Sequence, residues 1–344
     1  MDVVELNDTN RIEWDAFVWE CPTSNQFHLE GWRSIIEEVY GHQPRYLLAK
    51  DGKQVRGILP LIPINSRLSG RYVTSLPGGI CALDELAADL LIEAAEEIVK
   101  SVNATYLILR DSYQKWSSPD LVTNDDHCTL LVELDGDPEK LWYRVNRRTR
   151  QSVKKAYKAD LQVTHGRDYL NEFYPVYLQA LQDKGTPTQG LAYFKRLIEE
   201  FPSIFDVFLV CQAEQIFGGG IVALFKNTIY NTWSGMPRRF YDLNTSYILY
   251  WETIKYGCNN GYQWVDLGRS EKDSGVFKFK NQWRGELVPL YQQFYLNGIS
   301  TPPAVGNQRS RQLQYRIFFD VWKNLPPYLT ELLGSQIRKR MPFG

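Results

Sequence analysis

Long apolar runs are missing from this 344-residue sequence: no stretch approaches the 18 or more residues that cross a bilayer. An excess of one charge is missing too. Lys and Arg total 39 against 40 Asp and Glu, a formal net charge of -1. A general nucleic-acid binder carries a basic surplus, so the balance argues against that class. Cysteine and histidine are sparse, at five and four. The cysteines at 21, 81, 128, 211 and 258 stand far from metal-ligand spacing, which argues against zinc and against a disulfide framework. A Cys/His hydrolase has no signature here either. There is no Walker A sequence and no dinucleotide fingerprint. The opening Met-Asp-Val-Val-Glu-Leu is acidic and lacks a signal-peptide core, so the expected compartment is the reducing cytoplasm.

What is present is apolar mass. Hydrophobic residues make up 44%, enough for sizeable cores, and aromatics 14%, with 10 Trp and 21 Tyr. Such an aromatic load suits clefts as well as cores. At roughly 150 residues per domain the length suggests two domains.

Two stretches are alike. Gln54-Val55-Arg56-Gly57 matches Gln215-Ile216-Phe217-Gly218, each between apolar runs separated by a polar turn, the pattern of a hairpin. A strand pattern follows each, over 71–76 and 228–233. Next comes a helix, over about 84–103 with Leu86, Leu90, Ala94, Ile98 and Val102 on one face, and over about 245–257. In the second, Asn244 or Thr245 is placed to cap and Gly257 to end the helix. A strand closes each half, over 105–110 and 262–267. The repeated order predicts a duplicated, mixed α/β plan. Asp137-Pro138 starts a helix after the first half, and 298–307 reads as a linker.

Several segments hold chemically useful residues. From 139 to 158, eight of twenty residues are Lys or Arg and one is acidic. Read as one helix, Leu141, Val145, Arg148 or Thr149, Ser152 and Ala156 share a face. This is either a solvated surface or an anion site, with Arg147, Arg148 and Arg150 offering planar guanidinium forks to a diphosphate or to tRNA phosphates. Asp266-Leu267-Gly268-Arg269-Ser270 closes a strand, where α/β sheets line ligand crevices. The bland alternative makes Asp266 a turn cap. Lys278 and Lys280 alternate with Phe277 and Phe279; on a helix, Phe277 and Lys280 become neighbours. Ser75-Leu76-Pro77-Gly78-Gly79-Ile80 is either an anion loop or a plain turn. The tail from 308 to 344 has seven basic residues against two acidic ones. Ile317, Phe318, Phe319, Val321 and Trp322 lie among them, which fits an interfacial segment or packing against the second domain. Pro326-Pro327 interrupts any single long helix there.

Taken in order, His28-Leu29-Glu30-Gly31-Trp32, Gly57-Ile58-Leu59-Pro60-Leu61, Arg147 to Ala156, Asp266 to Ser270 and Phe279-Lys280-Asn281-Gln282-Trp283 resemble the FemAB family of acyl and aminoacyl transferases. The tail segment Val321 to Pro326 with Leu333-Gly334 is similar to the branch associated with exopolysaccharide and exosortase (PEP-CTERM) systems. The resemblance spans nearly the whole chain and rests on the order of motifs. It implies an α/β protein of two tandem acetyltransferase-like (GNAT) domains, placed at residues 1–135 and 136–300, with a basic amphipathic tail at 301–344.

The resemblance also implies amide formation on an amine of a cell-envelope precursor related to peptidoglycan or exopolysaccharide. Lys280 and Asp266 are the expected catalytic residues. Arg147, Arg148, Arg150 and Arg269 are expected to bind substrate, with Trp32, Trp233, Tyr247 and Trp283 as walls. No cofactor is expected to be tightly bound. The donor is an aminoacyl-tRNA or an acyl-CoA, with only transient tRNA contact and a peripheral membrane contact through 308–344. Two departures keep both donors open: there is no heptad run for the coiled-coil arm of the cell-wall members, and Pro237 to Asn244 replaces the glycine-rich CoA loop. The alternative is a non-catalytic GNAT pair that binds a glycan or lipid-linked intermediate.

Overall fold

The computed structural model describes residues 1–66, 70–303 and 313–340. The chain divides into two compact units. The first comprises Met1–His127, Pro289–Ala304 and Ile337–Gly344; the second comprises Cys128–Val288 and Val305–Gln336. The chain thus returns to its first unit twice. A linear division at 136 and 301 does not describe it, because the strand after 289 completes the first unit's sheet. The expected linker at 298–307 lies partly outside the described residues, as do Arg309 and Arg311.

In the first unit, β1 (Asp2–Glu5), β2 (Arg45–Asp51), β3 (Gln54–Ser66) and β4 (Gly70–Pro77) pair antiparallel in succession, and the two-residue β5 (Cys81–Ala82) pairs with β3. β6 (Tyr106–Ser112) then runs parallel to β4. The end of the later strand Glu286–Leu296 pairs antiparallel with β6. Helix α1 (Arg11–Glu20) brings Trp14 onto Tyr46, with ring centroids 4.9 Å apart. After a short α2 (Trp32–Ile35), the long α3 (Glu85–Ser101) covers the sheet, capped by Asp84, which accepts from Ala87 N. Its buried stripe is Ala87, Ala88, Leu91, Ile92, Ala95, Ile98 and Val99, while Leu86 is exposed. The stripe is rotated from the expected one, with Ala87, Ala88 and Ala95 joining Leu91, Ile92, Ile98 and Val99 in the core. At Gly57, an added Cβ would lie 3.0 Å from both Ala82 Cβ and Leu91 Cδ1, leaving no room for bulk. Cys21 and Cys81, sixty residues apart, come to 3.1 Å between sulfurs.

The second unit repeats this plan. Its strands are β7 (Leu121–Glu133, from Cys128 on), β8 (Gln162–His165), β9 (Phe205–Gln212), β10 (Gln215–Phe225), β11 (Thr228–Gly235) and β12 (Trp264–Asp266), in spatial order β7-β12-β11-β10-β9-β8. All neighbours are antiparallel except β11 and β12. The repeated Gln-(Val/Ile)-X-Gly carries a bulge at the same place in both units: Arg56 leaves the ladder between Val55 and Gly57, and Phe217 between Ile216 and Gly218. Helices cover both faces. They are α4 (Pro138–Arg144), α5 (Arg147–Lys158), α6 (Leu170–Asp183), α7 (Leu191–Glu200) and α8 (Thr245–Asn259). An added Cβ on Gly219 would meet Phe173 of α6 at 3.1 Å, and one on Gly220 would meet Leu249 of α8 at 3.6 Å. Gly257 does not end α8. It lies inside it, where a Cβ would be 2.5 Å from Leu134. Neither Asn244 nor Thr245 caps α8 through its side chain.

The tail forms helices Leu313–Lys323 and Pro327–Arg340, parted at the Pro326-Pro327 pair as expected. Trp322 and Thr330 are buried, Gln182 Nε2 donates to Leu325 O at 2.5 Å, and Gly185 sits against Phe319. Within the first unit, His42 Nε2 is 2.5 Å from Lys339 O and Arg338 is buried. Ile317, Val321, Tyr328, Leu332 and Leu333 remain exposed. No helix of the described residues is long and apolar enough to cross a membrane.

Candidate functional site

The parallel pair β11 and β12 keeps register for three residues, Thr228 with Trp264, Ile229 with Val265 and Tyr230 with Asp266. There β12 stops while β11 continues to Gly235, so the strands part just where Asp266 stands. Asp266 is buried, and its Oδ1 accepts from Gly268 N at 2.6 Å and from the hydroxyl of Thr129 on β7. The turn that follows requires glycine: Gly268 has φ +80, and a Cβ there would lie 2.5 Å from Asn231 O. Asp266 is therefore a turn-forming residue as well as a charge at the site.

Lys280 reaches this turn from the other side. Helix α9 (Gly275–Lys280) is capped by Ser274, whose Oγ accepts from Phe277 N at 3.1 Å. Phe279 packs on Tyr247 and Tyr250, at 5.0 and 5.1 Å between centroids, and fixes the helix. Lys280 is 6% exposed, and its Nζ donates to Gly268 O at 2.7 Å and Arg269 O at 3.0 Å. Burial pushes its ammonium down to about 8, partly offset by the Asp266 carboxylate. The same carboxylate adds to the effect of burial in raising the Tyr230 and Tyr250 phenols far above their ordinary value. Burial also raises the Cys128 thiol, against the pull of Lys272 and Lys280. The arrangement is a single buried cation, kept near its neutral point, at the mouth of two diverging strands.

The other expected residues divide. Tyr247 and Trp283 stand beside α9: the Tyr247 hydroxyl donates to Gln282 Oε1 at 3.4 Å, and Trp283 stacks on Tyr250 at 5.9 Å. Arg269 lends its carbonyl to Lys280, and its residue is exposed. Trp233 is half-buried and packs against Tyr193, Phe194 and Phe205. Trp32 is fully buried in the first unit, with its indole N–H donating to Gln26 O at 2.8 Å. It lines nothing. The glycine loop of that unit is a turn: Gly78 N donates to Arg110 O and Gly79 N to Leu76 O.

The basic run is two helices, not one. It breaks at Val145-Asn146, and Asn146 Oδ1 caps α5 by accepting from Arg148 N at 2.9 Å. Arg150 is committed to the break, donating to Trp142 O and Tyr143 O at 3.3 Å each. Arg147 and Arg148 are exposed in the first turn of α5, with no acidic residue in that turn. Two side chains not singled out in the sequence belong to the site. Thr129 holds Asp266, and Gln282 ties Thr149 of α5 to Tyr247 of α8. Thr129 acts across 137 residues and Gln282 reaches Thr149 across 133, and Gln282 offers only its place two residues after Lys280 as a signal.

Residues 143–281 match a family model described as an acetyltransferase (GNAT) domain. A search of curated proteins gives no match. Among solved structures, the crystal structure of FemX is similar at TM-score 0.65 and 16% identity, covering 86% of this chain and 97% of that one. The C-terminal domain of a putative lysylphosphatidylglycerol synthetase from Agrobacterium fabrum is similar at TM-score 0.57 and 13% identity, covering 85% and 93%. A tandem GNAT protein from the clavulanic acid biosynthesis pathway is similar at 0.55 and 11%, covering 87% and 99%. At these identities the likeness is one of fold. The chain has a FemAB-like tandem GNAT architecture, as its motif order implied.

Proposed function

We propose that this chain transfers an acyl or aminoacyl group to an amine of a cell-envelope precursor, forming an amide. The observation that carries the reading is Lys280, a buried ammonium held by two carbonyls where β11 and β12 part. When an unprotonated amine attacks an ester or thioester, a C–N bond forms and the carbonyl oxygen becomes negative; the nitrogen then gives up a proton as the C–O or C–S bond breaks, and that proton balances the departing alkoxide or thiolate. A cation already in place and shielded from water stabilises that oxygen. Asp266 keeps the cation charged and holds the turn in shape. The exposed Arg147 and Arg148, at a helix N-terminus whose dipole also favours anions, suit a phosphate on the acceptor. The fold shared with FemX and with a putative lysylphosphatidylglycerol synthetase supports an envelope setting. A peptidoglycan or exopolysaccharide precursor is the acceptor class. An aminoacyl-tRNA donor needs only transient contact, in keeping with the net charge of -1.

The test is mass-spectrometric detection of amide product. Purified protein is incubated with an acyl-CoA or an aminoacyl-tRNA and with nucleotide- or lipid-linked envelope precursors. Lys280→Ala is expected to lose about 100- to 1,000-fold in rate. Because the cation is the working form, the wild-type rate is expected to fall as pH rises through about 8. A rate that rises there in the wild type but not in Lys280→Ala makes Lys280 a base instead. Binding of a precursor with no product from any pair makes the chain a non-catalytic binder.

A further inference from the structure

A cavity of about 310 Å³ in the second unit lies between β7, β12, α4 and α8 and belongs to no part of the site described above except Trp283. Its floor is apolar, with Leu141, Val145, Ile254 and Trp264 among the lining residues. Its charged lining residues are Glu133, Arg144, Arg284 and Glu286. Arg144 is engaged by Asp135 at 3.2 Å. Glu133, Arg284 and Glu286 are solvent-exposed at the cavity's rim and form no ion pair among the described residues. They stand on different elements, Glu133 at the end of β7, Glu286 at the first residue of β14 (Glu286–Leu296, after the two-residue β13, Ser270–Glu271) and Arg284 in the turn before it. Arg284 is itself unusual. It takes the left-handed conformation, φ +63, at the end of a helical run, where glycine or asparagine is the relaxed choice.

We infer that this cavity binds a free apolar α-amino acid. An apolar body in the floor removes hydrocarbon from water, and the pocket is of the size that small ligands use. An ammonium and a carboxylate on one carbon satisfy Glu133 or Glu286 and Arg284 together, which a plain carboxylate, an amine or an alkane cannot do. A ligand seated there touches Trp283, three residues beyond Lys280 on the same helical run. The inference does not depend on the transfer reaction: amino-acid binding by a protein with no transfer activity leaves it standing.

Isothermal titration calorimetry on the whole protein tests it, with L-leucine, L-leucinamide, N-acetyl-L-leucine and L-alanine as probes. L-Leucine is expected to bind at one site. The amide and the N-acetyl compound are each expected to bind at least about tenfold more weakly, as is alanine, which lacks the body that fills the floor. Arg284→Gly suits the left-handed backbone and so folds; it is expected to weaken leucine about tenfold or more while leaving leucinamide unchanged. Val145→Trp fills the floor and is expected to abolish leucine binding. The site is refuted by no leucine binding, by equal affinity for leucine and alanine, or by Arg284→Gly binding leucine as the wild type does.

Discussion

Lys280 is a charge that the fold holds against its preference, and this makes its effect on stability opposite to its effect on chemistry. Its folded pKa of about 8 lies below the ordinary 10.5, so folding favours the neutral amine. The destabilisation is full below about pH 8 and is relieved as pH rises toward 10.5. Lys280→Met, similar in length and uncharged, is therefore expected to be more stable than wild type at pH 7, by up to about 3 kcal/mol at 1.36 kcal/mol per unit. Urea denaturation of both proteins at pH 7 and pH 10 measures this, and the gap should close at pH 10. A variant less stable at both values means that the two carbonyl bonds outweigh the desolvation. Lys280 and Asp266, singled out from the order of motifs and from the end of a strand, are brought together at the Gly268 turn. Thr129 is not legible in the sequence, because its role is a hydrogen bond across 137 residues. Trp32 is misleading, since an indole in a motif looks the same whether it lines a cleft or fills a core.

At the scale of the element, the helices and strands follow from pattern and punctuation, and their phase and breaks do not. Asp137-Pro138 starts α4 as expected, with Asp137 accepting from Glu139 N at 2.9 Å. The break before Asn146 is hidden because Leu141, Val145 and Thr149 keep helical spacing through it, and all three are buried. That break gives α5 its own N-terminus, with two arginines where the dipole disfavours cations. Arg148→Glu should therefore act in opposite directions. The helix should gain about 0.3–1 kcal/mol from the dipole, seen as a higher urea midpoint. Binding of pyrophosphate, as a probe of the anion site, should weaken, and the difference should shrink in high salt. Unchanged pyrophosphate affinity at low salt returns these arginines to an ordinary solvated surface.

Duplication, the property of the whole molecule, is readable from one tetrapeptide because the bulge it encodes is the same in both units. Chain continuity is not readable that way. Strand Glu286–Leu296 follows the second repeat in sequence, yet from Tyr291 on it pairs with β6 of the first unit. Domain boundaries drawn along the sequence miss such returns, because pairing depends on partners and not on order. The tail raises the same issue. Its composition suits a lipid surface, but Trp322 is 3% exposed, Phe319 packs against Gly185, and Arg338 is buried. A side chain that is already buried is not available to a bilayer. Trp322→Ala should then behave as a core truncation, lowering stability by about 3–5 kcal/mol in denaturant titration. Full-length protein and a chain ending at residue 307 should partition equally onto anionic vesicles in co-sedimentation. If the longer chain partitions more strongly, and Trp322→Ala leaves stability unchanged while reducing vesicle binding, the exposed row of Ile317, Val321, Tyr328 and Leu332 is a membrane face and the packed tryptophan is incidental to it.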